Sequence, residues 1–402
     1  DRGPERARET QLYFSRRIGL SEEDGQPIPI WGGMRLSGQT GDYGIGLMNM
    51  QTKAYNGKPG NNYAVARLRR NVLANSDVGV IFTNRQAAEG KDYNRAWGAD
   101  ANFKFWQNLD LNGYVAQSHT DGKKGENWTR KFSQDWRDNN IRINLIYADV
   151  EDNFTPEVGF VQRTGVKYFR SRNEAYIRKY MPKWVRQLRP HIYYMHIMDQ
   201  QNRPVSKEGH YALFEFQLQN GAGFEIFRDT FFERLDIPFR IRQGIPKQPN
   251  ITIPVGAYHF DHWVFEANSD PSRLLSGSMS LHTGGFYTGT TNQLVVDGNI
   301  RPSYHLLISN RYSYNGVDLK EGSFKTHLFR TRMDYYLTTR ALFNAFVQYN
   351  SDRKQVTSNI RFNFIHRPLS DFYVVYNEAR EVTGPRRSDR AVTVKYTRMF
   401  SY

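Results

Sequence analysis

Apolar and polar residues alternate with period two along much of this chain. From Asn359 to Phe364, Ile360, Phe362 and Phe364 fall on one side and Asn359, Arg361 and Asn363 on the other. From His327 to Tyr335, Phe329, Thr331, Met333 and Tyr335 oppose Leu328, Arg330, Arg332 and Asp334. From His210 to Leu218, Ala212, Phe214, Phe216 and Leu218 oppose Tyr211, Leu213, Glu215 and Gln217. The stretch Ala341 to Tyr349 is apolar on one side and mixed on the other. Such alternation predicts strands with two unlike faces, because successive side chains point to opposite sides of a sheet. Tight-turn pairs punctuate the pattern: Asn56-Gly57, Asn220-Gly221 and Asn315-Gly316, and Asp24-Gly25 and Asp121-Gly122. Asn112-Gly113 and Asp297-Gly298 instead fit inside or beside strands. Longer breaks are expected near 121–126, 199–207 and 236–250. The spacing predicts about 20 antiparallel strands, roughly 18 to 22, and no helix beyond a turn or two over Glu5 to Leu12.

No stretch reaches the roughly 18 apolar residues of a membrane helix, and the mean hydropathy is −0.70. A spanning chain would then need strands closed into a barrel, the other way to satisfy every backbone group in lipid. Barrel strands show lipid only every second side chain, so their average hydropathy stays low. The 25 Tyr, 26 Phe and 7 Trp suit a membrane–water boundary. The expected fold class is therefore all-β, a transmembrane antiparallel β-barrel in the bacterial outer membrane of a Gram-negative cell; the competing reading is a soluble all-β binding protein with an aromatic core. Residues 1–28 read as an N-terminal lead-in and 29–402 as the barrel, with Pro27 and Pro29 breaking the chain before a strand near Trp31. No signal sequence is visible in Asp1 to Thr10, so a mature or trimmed chain is expected. A plugged uptake transporter is disfavoured, since its plug would need far more than 28 residues. The terminal alternation Val392, Val394, Tyr396 and Phe400 to Tyr402, broken by Arg398, fits a closing strand whose aromatics (Tyr396, Phe400, Tyr402) serve as the assembly signal.

Cysteine is absent, which excludes disulfides and thiolate chemistry. Lys and Arg number 55 against 40 Asp and Glu, a formal charge of +15. The basic residues recur at strand spacing rather than in a tail, which points to lipopolysaccharide or a lumen favouring anions and away from nucleic acid. Charge on the lipid face at mid-bilayer depth is unfavourable by about 2–4 kcal/mol. Arg67, Arg69, Arg330, Arg332, Asp334, Arg361 and Lys395 are therefore expected to face a lumen, with Asp149 and Glu215 among their neighbours. They make either a salt-bridge lattice that fills the interior or an anion-attracting pore. Expected partners are outer-membrane lipid and lipopolysaccharide, the barrel assembly machinery, and periplasmic or envelope proteins.

Motifs for chemistry are sparse. His259 and Asp261 should face one side of a strand and His262 the other, and His191 and His196 likewise diverge, so no metal site is expected. Glu22-Glu23 and Glu151-Asp152 read as turns. Neither Gly-x-Ser-x-Gly nor a phosphate-binding loop occurs, and no cofactor is expected. No enzymatic activity follows from these residues.

Five segments in order carry a more specific signal: Tyr13 to Leu20 (YFSRRIGL), Gly32 to Gly38 (GGMRLSG), Pro156 to Arg163 (PEVGFVQR), Gln348 to Ser351 and Asn359 to Phe362. Together, from about Gln11 to Tyr402, the chain resembles a family of outer-membrane barrels of unknown function, whose longer members carry a carbohydrate-binding module of the family 9 type ahead of the barrel. The resemblance implies the barrel and no activity for it. The module is not expected here, so carbohydrate binding is not carried over. The Tyr13 to Leu20 segment would be the junction to a periplasmic domain in a longer precursor. The expected function is thus a porin-like channel or the membrane anchor of an envelope assembly; the alternative is a membrane-embedded carbohydrate-binding or hydrolytic protein.

Overall fold

A computed structural model describes residues 10–21, 24–242, 250–382 and 388–399. The architecture is almost entirely antiparallel β. In chain order the strands are β1 (Ile30–Thr40), β2 (Tyr43–Thr52), β3 (Asn61–Leu73), β4 (Ser76–Ala87), β5 (Tyr93–Phe105), β6 (Leu109–Thr120), β7 (Trp128–Arg137) and β8 (Ile141–Val150). Next come β9 (Val166–Ala175), β10 (Val185–Leu188), β11 (His191–Asp199), β12 (Pro204–Leu218), β13 (Gly223–Leu235), β14 (Phe239–Arg242), β15 (Ile251–Ile253) and β16 (Gly256–Asn268). The last are β17 (Leu275–Phe286), β18 (Gly289–Ser303), β19 (Leu306–Leu319), β20 (Gly322–Tyr336), β21 (Ala341–Asn350), β22 (Gln355–Arg367), β23 (Ser370–Glu381) and β24 (Ser388–Tyr396). Among the described residues there are 24 strands, and setting aside the separate pair β14 and β15 leaves 22, the upper end of the expected range. β10, β14 and β15, of three or four residues each, are too short to show a period-two pattern.

The chain divides into two units, Asp1–Ala175 with His191–Gly209, and Tyr176–Pro190 with His210–Tyr402. In the first, β1 to β9 form an antiparallel meander in sequence order, continued by β11 beside β9. In the second, β13 pairs with β16, and β16 to β24 follow as another meander. There β10 pairs with β12, and β14 with β15 as a separate hairpin.

Each unit has one apolar and one polar face. In the first unit the register lines up Ile45 with Leu68 and Val80, and Leu47 with Ala66, Phe82 and Trp97. Val115 opposes Ala99, and Phe132 opposes Tyr147. These large side chains are exposed, Trp97 at 41% and Phe132 at 53%. In the second unit Phe329, Tyr335, Val347 and Tyr349 are exposed on one side, and Tyr349 pairs with Phe329. The buried apolar residues lie on the opposite, polar faces, in small clusters beneath segments that fold over them. This inverts the soluble sandwich, where the aligned apolar side is the buried one.

Turn chemistry agrees with most assignments. Asn56 and Gly57 both have positive φ (49° and 75°) between the bridged Tyr55 and Lys58, the conformation a two-residue hairpin turn needs. Gly25, Gly122 and Gly221 also have positive φ. Asn315-Gly316 is a correction: it lies inside β19, opposite Thr326 and Lys325 of β20. The expected break at 199–207 shrinks to a turn after Asp199, since β12 starts at Pro204. In β12 the alternation slips, because Tyr211, Leu213 and Phe214 are all exposed while Ala212 and Glu215 are buried. Ala212 therefore does not share a face with Phe214. The short helical turn is at Ser15–Arg17, while residues 5–9 of the expected Glu5 to Leu12 turn lie outside the described residues.

In the first unit, connections at one edge are short: residues 41–42, 74–75, 106–108 and 138–140. At the other edge they are longer, at 53–60, 88–92, 121–127 and 151–165. Asp138 accepts hydrogen bonds from the Asn140 and Ile141 amides (2.7 and 2.9 Å) and from Trp136 Nε1 (3.1 Å). These donors, the Asn140 amide foremost, hold its carboxyl below the usual carboxylate range.

Candidate functional site

The polar face of the first unit is covered at its long-connection edge by two of the motif segments. The lead-in crosses residues 156–160 as an antiparallel bridge: the Gln11 amide donates to Phe160 O (2.9 Å) and the Phe160 amide returns to Gln11 O (2.7 Å). The Phe14 amide donates to Val158 O (2.8 Å), and Arg17 Nε to Gly159 O (3.2 Å). Gly159 permits this approach, since a Cβ there would lie 2.0 Å from Gln11 O. Beneath, Val158 packs with Tyr63 and Val65 and with Tyr13, Ile18, Met48, Met50 and Ile81. Phe154 packs with Ala116 and Val150, flanked by Leu12 and Val161. Gly98 and Ala116 are small for the same reason: a Cβ on Gly98 would meet Leu12 Cδ1 at 2.8 Å.

Polar anchors fix the 151–165 connection. The fully buried Asn94 donates from Nδ2 to Thr120 Oγ1 (2.8 Å) and Thr155 O (2.6 Å), and its Oδ1 accepts from the Glu157 amide (3.0 Å). The Thr155 amide donates to Ser118 Oγ (2.8 Å). Arg85 bridges Glu157, Asp92 and Asn61 Oδ1 (3.0 Å). Its guanidinium holds the Asp92 carboxyl below the usual range. Periodicity alone missed Asn94, Arg85 and Gly159; the available signal was the Pro156 to Arg163 motif, which contains Gly159.

The second unit carries an analogous cover. Between β13 and β16, the paired strands β14 and β15 lie over the polar face. Ile251 and Ile253 are fully buried against Val317 and Leu319 of β19. Arg242 pairs with Asp352 and lies 4.6 Å from the Phe324 ring centroid. Sequence reading expected only a break here.

The charged residues singled out from sequence lie on the polar faces, though not as one cluster. In the first unit Arg67 holds Asp100 in a two-pronged pair whose second contact is 2.8 Å, and Arg69 holds Asp77 at 2.5 Å. In the second, Arg332 Nε holds Asp334 (2.9 Å), which also accepts from Asn344 Nδ2 (2.6 Å). Arg361 lies beside Asn344 in the register, and Arg330 beside Arg311, which reaches Asp297 at 3.6 Å. Lys395 stands opposite Tyr373 on β23. The expected neighbours are placed differently. Asp149 sits on the Tyr147 side of β8 with Arg130 at 3.4 Å, and Glu215 pairs with Arg189 at 2.5 Å. Tyr396 stacks on His366, with ring centroids 5.3 Å apart, whereas Phe400 and Tyr402 lie outside the described residues.

A chain of titratable groups runs across the polar face of β12, β13, β16 and β17. Asp229 Oδ1 lies 2.8 Å from His210 Nδ1, and its Oδ2 lies 3.6 Å from His262 Nε2. His210 Nε2 is 3.8 Å from Glu225. Ser280 Oγ contacts His282 Nε2 and Glu266 Oε1, both at 2.9 Å. His259 and Asp261 point the other way, where Asp261 accepts from Arg228 Nε (2.9 Å).

No family model and no curated protein matches the chain. Among solved structures it is similar to the open form of the ferric-catecholate import receptor Fiu from E. coli K12, at 8% identity over 88% of this chain and 68% of that one, with a TM-score of 0.38. It is also similar to the ferric yersiniabactin uptake receptor FyuA from Yersinia pestis, at 10% identity over 89% of this chain and 59% of that one, with a TM-score of 0.27. The likeness is broad in coverage and distant in sequence.

Proposed function

We propose that residues 29–402 form an outer-membrane β-barrel that anchors an envelope assembly, with residues 1–28 as its lead-in and the described segment from Gln11 to Arg17 docked on the polar face. The exposed apolar faces suit contact with lipid, and the paired arginines suit a polar interior: Arg67 with Asp100, Arg69 with Asp77, and Arg332 with Asp334. The observation that carries the anchor reading over a wide pore is that a folded-in segment covers the polar face in each unit, with Phe154, Val158, Ile251 and Ile253 fully buried. The lead-in is held there by Gln11, Phe14 and Arg17, which supports reading it as a fixed part of the anchor. Lipopolysaccharide and the barrel assembly machinery belong to this setting as partners.

The test is reconstitution. The chain should require detergent, migrate differently on gels with and without heating, and insert into liposomes with little steady conductance in planar bilayers. A large, stable, anion-selective conductance would replace the anchor reading with the channel reading, which the arginine-lined polar faces would then explain. A monodisperse monomer in plain buffer would overturn both.

A further inference from the structure

The apolar face of the first unit is not uniformly bulky. Across β3 to β6 two rows of the register run Leu68, Val80, Ala99, Val115 and Arg70, Val78, Ala101, Gly113. Around them stand larger side chains on the same face: Phe82 and Trp97 toward one edge, and Phe132 opposite Gly113 on the next strand. Along these rows lies a shallow, widely open depression of about 700 Å³, mainly apolar and lined by Tyr43, Leu68, Arg70, Val80, Ala99 and Val115 among others. At its short-turn end Arg70 lies 5.4 Å from the Tyr43 ring centroid. It forms no ion pair with a described residue. By contrast Arg67 and Arg69, on the other side of the same strand, are both neutralised by aspartates.

We propose that this depression is a binding site for one anionic membrane lipid, its acyl chain lying along Leu68, Val80, Ala99 and Ala101 and its phosphate meeting Arg70. The inference rests on the reading that this face meets lipid. The chemistry is complementary at both ends. An apolar recess facing hydrocarbon is filled best by a flexible chain, because an unfilled hollow forfeits dispersion contacts. A guanidinium braced on an aromatic ring at the membrane boundary presents a fork of donors that matches a phosphate. Tyr43 supplies the amphipathic ring typical of that depth.

The experiment is native mass spectrometry of the delipidated full chain in detergent, titrated with dimyristoyl phosphatidylglycerol and, separately, with the phosphatidylcholine of the same chains. The expected result is one saturable adduct, with at least fivefold preference for phosphatidylglycerol. Arg70→Gln should abolish the preference. Ala101→Phe should weaken both lipids at least fivefold by filling the floor, and Ala99→Leu, a smaller intrusion, should do so if Ala101→Phe fails to fold. Arg301→Gln, a surface arginine of the second unit, should change neither. Equal binding of the two lipids, or wild-type binding by Arg70→Gln and the filled variants, overturns the site while leaving the membrane reading intact. A chain that stays monodisperse without detergent and takes up neither lipid overturns both.

Discussion

Gly159→Ala is the sharpest probe of the docked lead-in. The added Cβ would stand 2.0 Å from Gln11 O and 2.8 Å from the carbonyl carbon and oxygen of Leu12, so one backbone must move by more than 1 Å. The glycine has no left-handed φ, so conformational strain at the residue itself does not enter. The displacement removes at least the two bridge hydrogen bonds between Gln11 and Phe160 and strains those from Phe14 and Arg17. At roughly 1 kcal/mol net for each bond lost, with part of the Leu12 and Phe14 packing gone as well, the docked state weakens by about 2–3 kcal/mol. That corresponds to an undocked population larger by roughly 30- to 150-fold. Trypsin cleavage after Arg16 or Arg17 reads this population when opening and closing are fast relative to cleavage. Cleavage in liposomes, followed by mass spectrometry at limiting protease, should accelerate by that factor. Gly298→Ala is the control, because its Cβ would meet nothing within 4 Å. Equal cleavage of Gly159→Ala and wild type would refute the docked arrangement.

Three further outcomes are expected. Phe329→Arg should lower folding yield in liposomes far more than Arg330→Gln, because the first places charge in hydrocarbon at roughly 2–4 kcal/mol near the midplane; equal yields would mean the faces are misassigned. Deleting Phe400 to Tyr402 should prevent membrane assembly in cells, measured by surface labelling, and normal surface levels would count against a terminal signal. Asp138 should titrate below its ordinary value near 3.8 in a carboxyl NMR titration. Its folded-state pKa is depressed, so its stabilisation of the β7–β8 turn is present above the unfolded value and fades as pH falls through the folded one. Asp138→Ala should therefore lower thermal stability at pH 7 and converge with wild type at strongly acid pH.

The strands were legible because alternation is a local signal. Phe329, Thr331, Met333 and Tyr335 read the same way in sequence and in register, and so did Val347 and Tyr349. The slip in β12 was not legible, since Leu213 and Phe214 are both apolar and periodicity has no way to mark where the phase changes. The folded-in segments were hidden for a different reason. Residues 151–165 form no strand and β14 and β15 are only four and three residues long, and what holds these segments are contacts distant in sequence. Asn94 reaches Thr155 across 61 positions, and Arg242 reaches Asp352 across 110. The aspartate partners of Arg67 and Arg69 were missed because an ion pair depends on which strands are adjacent.

The bond from Arg17 to Gly159 spans 142 positions and encloses β1 to β8 in a single loop. In an unfolded chain, closing a loop of that length would be opposed by roughly 4 kcal/mol of entropy. The lead-in therefore has little to gain by finding its seat early. Only after the eight strands have zipped together is the loop effectively short, and only then do four hydrogen bonds and the Leu12 and Phe14 side chains suffice to hold it. The first described residues in the chain are thus among the last of their unit to order. Their amide protection in hydrogen exchange becomes a clock for completion of the first eight strands.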